Sequence, residues 1–202
     1  MIAIMYRQTD DTLTNTQPEI RIEEWRADAS RATFDRDIEM LAEVLLAVVH
    51  AGAGVSFFVP FPIEDARAFW IDKVLPPMRA GTRRVLIARR ENTSDRIVGT
   101  VQLDLEVPPN QNHRGAVTKL LVHPQSRRRG VGRELMLALE DIARMEGRTL
   151  LTLDTVTGSG AEVLYGSLGY ITVGVIPRFA RGALTPALES TTIMYKELMP
   201  EG

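Results

Sequence analysis

The stretch from Leu120 to Arg133 constrains the fold more than any other part of the sequence. It begins as an apolar, strand-like run, passes through a basic turn that holds Gly130 and Gly132, and continues as an amphipathic helix that we expect to end at Gly147. A strand that enters a helix through a glycine turn is typical of domains that mix both elements around one core. The apolar face of the helix is marked by Val131, Leu135, Ala138, Leu139 and Ile142.

The basic turn has the chemistry of an anion-binding site. Backbone N–H groups at the start of a helix have no intrahelical partners, and the helix dipole adds partial positive charge there. Glycine lets the backbone approach a phosphate closely. These features predict a pyrophosphate cradle, and the alternative is a solvated basic loop that caps an ordinary helix. Positive charge in and beside the turn comes from Arg127, Arg128, Arg129 and Arg133.

Composition narrows the classes of function. The 202 residues fit one domain, and 45% hydrophobic with 25% charged residues is typical of a globular protein with its own core. The sequence holds no cysteine and three scattered histidines, so we expect no disulfide, no thiolate nucleophile and no metal site. A net charge of −2 argues against a nucleic-acid partner. Without a membrane-length apolar run or a signal-like start, we expect no membrane partner and a cytoplasmic location.

The remaining pattern predicts one mixed domain. We expect a flexible N-terminal arm over residues 1–18 and a single domain over 19–202, with an apolar loop at Val55–Phe61 that lines the core or rims a pocket. A helix from Ile63 to Val74 is expected to close at Pro76 and Pro77. The other expected elements are a strand from Ile20, a helix over 34–49, strands over 84–89, 97–105, 116–122 and 150–153, a helix over 160–168, and strands ending near Val175 and over 191–196.

The same basic turn resembles the acetyl-CoA motif of the GNAT acetyltransferase superfamily. That motif reads Gln/Arg-x-x-Gly-x-Gly/Ala after Val-x-Pro, and Val122–Pro124 and Arg127–Gly132 match both parts in order and spacing. Tyr165 with Gly169-Tyr170 resembles the C-terminal signature of the superfamily. Within the superfamily the chain is most similar to the tabtoxin resistance acetyltransferase. Further matching fragments are His50–Ala53, Lys119-Leu120, Leu153–Thr155, Gly158-Ser159 and Ala161-Glu162.

The resemblance implies an α/β (α+β) GNAT fold, a mixed central sheet of about seven strands with flanking helices. It also implies acetyl-CoA as cosubstrate, with its pantetheine arm along the backbone of Leu120, Leu121 and Val122. The pyrophosphate would lie on Arg127, Arg128, Arg129, Gly130, Val131 and Gly132, beside Arg133, which either adds charge or is a surface residue.

The resemblance also assigns candidate catalytic residues. Tyr165 matches a tyrosine that protonates the departing thiolate, although its spacing alone fits an aromatic core residue equally well. Asp154 is the leading candidate for the general base, with a structural turn acid or a substrate-ammonium anchor as alternatives. Relatives place Glu and Asn where this chain has Ala116 and Gly158. Asp104, Glu106, His113 or a chain of water molecules are further candidates for the base.

The resemblance implies acetylation of the primary amine of a small molecule, such as an amino-acid-like toxin or antibiotic. One alternative is a protein or peptide N-acetyltransferase. Another is a non-catalytic acyl-CoA-binding module. A homodimer is compatible with the resemblance.

Overall fold

The computed structural model describes residues 20–26, 30–90 and 95–198. The arm predicted for residues 1–18 lies outside these ranges. The strands are β1 Ile20–Glu24, β2 Arg83–Arg90, β3 Arg96–Asp104, β4 Arg114–Val122, β5 Leu150–Val156, β6 Ile171–Arg181 and β7 Leu188–Glu197. The α-helices are α1 Arg31–His50, α2 Ile63–Ala68, α3 Leu75–Arg79, α4 Val131–Met145 and α5 Gly160–Ser167.

The strands form one seven-stranded sheet in the order β1-β2-β3-β4-β5-β7-β6. The first four strands pair antiparallel, and so do β5 with β7 and β7 with β6. β4 and β5 are the parallel pair, and their register extends only from Arg114↔Leu150 to Ala116↔Thr152. This architecture confirms the expected mixed sheet.

Two hydrophobic clusters cover the two faces of the sheet. On one face, which we call the α4 face, α4 and α5 pack through residues such as Leu135 and Tyr165 against Leu151 of β5. On the other, the α1 face, α1 and α2 pack through Leu45 and Ala66 against Ile87 of β2. Each helix presents one apolar stripe to the sheet, so the domain is a three-layer sandwich.

The helical stretch from Ile63 is longer than the sequence predicted. A π-helical segment, Phe69–Val74, follows α2 and leads directly into α3. Pro76 and Pro77 therefore do not close the helix. They lie in the first turn of α3, where a missing N–H group does not interrupt a hydrogen bond.

The strands at the C-terminal side are also longer than predicted. β5 continues to Val156, β6 to Arg181, and β7 begins at Leu188. Across the ranges that the structure describes, none of the helices combines the length and the apolar character that a bilayer span needs.

Candidate active site

A β-bulge opens the sheet between β4 and β5. Thr100 pairs with Leu121 and Gln102 with Thr118, so β4 contains one more residue than β3 over this interval. Lys119 has a φ of 50°, the left-handed conformation that marks the irregularity. A bulge bends its strand and increases its twist. Because β4 and β5 stop pairing after Ala116, a gap separates the rest of β4 from the second half of β5.

The peptide groups of alternate β4 residues face this gap. The N–H of His123 donates to the carbonyl of Val98 at 2.9 Å, which directs His123 toward β3. In an antiparallel ladder alternate residues point to opposite sides. Leu121, paired with Thr100, therefore also points to β3, whereas Leu120 and Val122 direct their peptide groups to the gap.

The end of β4 leads into the predicted cradle, Arg127–Gly132. Gly130 is the N-cap of α4, with a φ of 81° in the left-handed region that favours glycine. A Cβ at Gly130 would meet no atom within 4 Å, so the space beside it is open. Within the described part of the chain, the backbone N–H groups of Gly130, Val131 and Gly132 have no hydrogen-bond acceptor. An open helix N-terminus of this kind fits a phosphate group.

Cations surround this helix start. The side chains of Arg127, Arg128 and Arg129 are exposed, and Arg127 Nε donates to the carbonyl of Val122 at 3.2 Å. Burial lowers the pKa of His123, and the charges of Arg96, Arg127 and Arg90 lower it further, against an opposing effect of Glu43. The turn is therefore electropositive beyond its own three arginines.

Arg133 and Gly132 connect α4 to α5. Arg133 is exposed, and its Nη2 donates to Ser167 Oγ at 3.0 Å. A Cβ at Gly132 would lie 3.1 Å from Leu164 Cδ2, so the absence of a side chain lets α5 approach the cradle closely. The position of α5 matters because that helix carries Tyr165.

A capping box fixes the start of α5. The N–H of Glu162 donates to Ser159 Oγ at 3.2 Å, while the Glu162 carboxylate accepts from the N–H of Gly158. This is a variant of the Ser-x-x-Glu capping box, because the carboxylate accepts from the residue before the N-cap and not from Ser159 itself. Its spacing was readable in the sequence although we did not predict it. Gly158, at the position where relatives have Asn, contributes its N–H to this cap.

Tyr165 is buried in the α4-face cluster and only 6% exposed. Its ring lies 5.7 Å from the ring of Tyr170. Burial raises the pKa of the Tyr165 phenol well above its ordinary value, and the negative charge of Asp154 raises it further. The hydroxyl therefore keeps its proton at neutral pH, as a proton donor must.

Asp154 lies inside β5, and not at the end of its strand as the sequence predicted. Leu151 and Leu153 belong to the α4-face cluster, so by alternation the exposed Asp154 lies on the α1 face. Thr191 Oγ1 is 3.2 Å from Asp154 Oδ2 and 2.9 Å from the carbonyl of Thr155, which orients the carboxylate. Asp154 and Tyr165 thus lie on opposite faces of the sheet.

Lys119 is a site residue that the sequence analysis did not identify. It is partly buried, and its Nζ lies 3.5 Å from Ser56 Oγ in the connection between α1 and α2. Burial lowers the pKa of Lys119 and the charge of Arg83 lowers it further, while Asp154 and Asp104 act in the opposite direction. Its place in the site depends on the bulge, which is set by the β3–β4 register and has no local signal in the sequence.

Of the remaining candidates for the base, Asp104 lies beside β4 close to the bulge, and the other two lie at the far end of the sheet. Asp104 forms an ion pair with Arg83. Glu106 follows β3 and His113 precedes β4, at the end of the sheet opposite the cradle. The nine residues of β4 separate His113 from the cradle by about 30 Å. In the described ranges no group of three or more His, Asp or Glu residues could hold a metal ion.

Two connections border the gap on the α1 face. The N–H of Val59, between α1 and α2, donates to the carbonyl of Ala183, between β6 and β7, at 3.2 Å. A Cβ on Gly54 would lie 2.5 Å from Val156 Cγ2, so this connection rests directly on β5. The predicted apolar loop therefore lines the core and forms a rim at once: Phe57 packs 4.6 Å from Phe61, while Phe58 is 56% exposed.

Solved structures share this architecture. The structure of yncA from Salmonella typhimurium with its cofactor acetyl-CoA is 18% identical, with a TM-score of 0.68 over 91% of this chain and 96% of that chain. A GCN5-related N-acetyltransferase from Kribbella flavida is 22% identical, with a TM-score of 0.68 over 89% of this chain and 98% of that one. Ribosomal-protein-alanine N-acetyltransferase from Brucella melitensis is 21% identical, with a TM-score of 0.68 over 88% and 99%.

The sequence also matches the model of a protein family. The model of the acetyltransferase (GNAT) family matches residues 48–170, a range that runs from the end of α1 through the gap and the cradle to Tyr170. It covers more than half of the 202 residues. The chain therefore belongs to the GNAT family of acetyl-CoA-dependent N-acetyltransferases.

Proposed function

We propose that this protein transfers an acetyl group from acetyl-CoA to the primary amine of a small, amino-acid-like molecule. The observation that carries the proposal is the placement of two proton-handling side chains at one opening. Tyr165 belongs to the cluster on the α4 face, and Asp154 lies on the α1 face in β5, the strand that borders the gap. The negative charge of Asp154 contributes to the raised pKa of Tyr165, which supports their proximity across the sheet.

The residues around the gap fit acetyl-CoA. The free N–H groups of Gly130, Val131 and Gly132, the open space at Gly130 and the neighbouring arginines suit a pyrophosphate. The peptide groups of Leu120 and Val122 face the gap, where a pantetheine arm could pair with them as an added strand does. When bound, acetyl-CoA supplies an activated acetyl group on a thioester and departs as the thiol.

Each side chain then has one task. The Tyr165 hydroxyl keeps its proton at neutral pH and donates it to the sulfur of the departing thiolate. Asp154, held by Thr191, accepts a proton from the acceptor amine or holds the ammonium before deprotonation. Ala116 supplies no carboxylate, and we assign the role to Asp154 because it is exposed on the α1 face of β5 beside the gap.

The rim on the α1 face supports a small acceptor. The hydrogen bond between Val59 and Ala183 joins the two connections that border the gap, and we expect this bridge to narrow the entrance. The sequence resemblance to the tabtoxin resistance acetyltransferase supports an acceptor of similar size. A peptide acceptor would instead use the exposed Phe58, and peptides therefore belong in the test.

The test combines calorimetric titration with acetyl-CoA and a free-thiol release assay against small amines, amino acids and N-terminal peptides. We expect binding, and thiol release with small amines. Release with peptides alone would assign a peptide acceptor. Binding without release on any amine would identify a non-catalytic module and contradict the proposal.

The variant Tyr165→Phe sharpens this test. We expect turnover to fall by about 10²- to 10⁴-fold, the range for loss of a general acid, with unchanged affinity for acetyl-CoA. Tyr170→Phe is the matched control. Tyr170 is equally buried and its ring contacts that of Tyr165 at a tilt of 56°, but its pKa is raised by burial and by Glu140 in the core. Unchanged turnover in Tyr165→Phe would remove the tyrosine from the mechanism.

A further inference from the structure

The bulge in β4 places an ammonium group on the α1 face beside Asp154. Val117 belongs to the α4-face cluster, and Leu121 to the α1-face cluster, although the two residues are four positions apart. In a regular strand both would lie on one face. The extra residue therefore resets the alternation, and the side chain of Lys119 extends to Ser56 of the α1–α2 connection.

Lys119 is partly removed from solvent and lacks a direct ionic partner among the described residues, although Asp154 and Asp104 act on it from a distance. Among the described residues no carboxylate forms an ion pair with it, and its hydrogen bond to Ser56 is long, at 3.5 Å. The nearby Asp104 already pairs with Arg83, and Asp154 accepts from Thr191. Removing an ammonium from water without a paired anion is costly. An anionic ligand that pairs with Lys119 would therefore offset this cost.

The left-handed backbone at Lys119 strengthens this argument. A non-glycine residue in that conformation costs on the order of 1 kcal/mol, and glycine or asparagine would adopt it more readily. The chain nevertheless has a lysine at this position. Val117 and Leu121, two residues away on either side, are buried and apolar, so Lys119 brings a charge into an otherwise uncharged part of β4.

We infer that Lys119 binds an anionic group of the acceptor, so that the substrates carry a carboxylate near the amine that is acetylated. Lys119 and Asp154 then form a receptor of two opposite charges on the α1 face. The carboxylate of an α-amino acid lies on Lys119, and its amine lies toward Asp154 and the gap. Ser56 Oγ, within reach of Lys119, supplies a further hydrogen-bond donor to the same carboxylate. This inference rests on the proposed acetyltransferase function and specifies the substrate class.

The test compares amino acids with their carboxamides. Leucine, methionine, glutamine and phenylalanine are each paired with the corresponding primary amide, which keeps the side chain and the amine but lacks the negative charge. The amine of an amino amide is less basic and is more often neutral, so amine reactivity alone favours the amide. Faster acetylation of the acid therefore reports recognition of the carboxylate.

We expect the wild-type protein to acetylate the preferred acid with a kcat/KM at least about tenfold above that of its amide, as one charge-assisted hydrogen bond provides. Lys119→Met has a side chain of similar length without the charge. This variant should remove the preference by lowering kcat/KM for the acid, while kcat/KM for the amide and the affinity for acetyl-CoA stay unchanged. Lys119→Arg should retain part of the preference. Lys73→Met, at an exposed lysine of the π-helical segment, is the matched control and should behave as wild type.

Three results would overturn the inference. The first is a wild-type protein that treats acids and amides alike. The second is a Lys119→Met variant that loses activity on both, which would make Lys119 a general base or a structural residue. The third is a preference that survives in Lys119→Met. If only the amides are acetylated, this inference is wrong and the acetyltransferase proposal stands. If none of the amines tested causes thiol release, the acetyltransferase proposal is contradicted and this inference with it.

Discussion

The cradle and the α1 face of the gap are built in different ways. The cradle, Arg127–Gly132, is one contiguous segment that offers backbone N–H groups and a left-handed glycine. The α1 face assembles single side chains from distant parts of the chain: Ser56 from a connection, Lys119 from a bulge, and Asp154 from β5. A pyrophosphate can be bound by the backbone of one local motif. Selection of a particular acceptor, by contrast, depends on side chains that only the folded sheet brings together.

The difference extends to what each side can tolerate. A backbone site depends on φ and on open space, so nearly any side chain added at its centre is harmful. A side-chain site can be altered one residue at a time without disturbing the sheet. This contrast predicts that substitutions in the cradle weaken the binding of acetyl-CoA and so reduce turnover of every acceptor. Substitutions on the α1 face should instead change which acceptor is preferred.

The largest effect is expected at Gly130. Gly130→Glu places bulk and negative charge in the open space beside the free N–H groups of α4. We expect calorimetry to show acetyl-CoA binding weakened by at least about 100-fold, roughly 3 kcal/mol. The left-handed φ adds a destabilisation of about 1–2 kcal/mol to the folded state, which thermal unfolding would measure.

Gly147→Glu separates these two effects. Gly147 has a φ of 69° and open space around it, but it lies beyond the other end of α4, about 22 Å along the helix axis. Its variant should lose similar stability, slightly more because a carboxylate there meets the negative end of the helix dipole. Its affinity for acetyl-CoA should not change. Equal loss of affinity in both variants would contradict the cradle assignment.

The fold was largely predictable because its elements have local signals. The order of elements, the three-strand meander and α4 followed from apolar periodicity, glycine turns and the family resemblance. The helix end predicted at Pro76 and Pro77 was wrong because proline is found both after the end of a helix and in its first turn. No sequence pattern indicated that a π-helical segment joins directly to α3. The end of β6 was misplaced because Pro177 can lie in an edge strand.

The candidate site was predictable only where it is contiguous. The cradle residues and Tyr165 lie in segments whose spacing matches a motif. Lys119 and Ser56 meet because a register shift turns one side chain toward a connection 63 residues away in the chain. No period or spacing in a single sequence encodes that shift, so the α1 face could be described only once the strands were paired.

The pH dependence of acceptor choice gives the next largest effect. Burial and Arg83 lower the pKa of Lys119 below its ordinary value, with Asp154 and Asp104 opposing them. A bound carboxylate favours the protonated form, so the preference for acids over amides is full below the pKa of Lys119 in the free protein. The preference is lost as pH rises through it. The measurement is the ratio of kcat/KM values for one acid and its amide across an alkaline pH series.

The amines of the acid and the amide titrate at different pH. Each kcat/KM is therefore calculated from the concentration of neutral amine, so that the ratio reports only the titration of the protein. In Lys119→Arg, whose guanidinium keeps its charge, the ratio should stay level over the same range. A wild-type ratio that stays level to well above the ordinary pKa of lysine would show that another cation recognises the carboxylate.

The smallest effect distinguishes two serine caps. Ser159 caps α5, which positions Tyr165, and Ser30 caps α1 on the far side of the sheet. Replacement of either by alanine removes one acceptor for a helix N–H and should cost about 1 kcal/mol, or a fall in Tm of about 2–4 °C. Turnover should fall several-fold only in Ser159→Ala, because a frayed α5 displaces the Tyr165 hydroxyl from the gap. If Ser30→Ala lowers turnover as much as Ser159→Ala, activity follows overall stability and the positional role of the α5 cap is wrong.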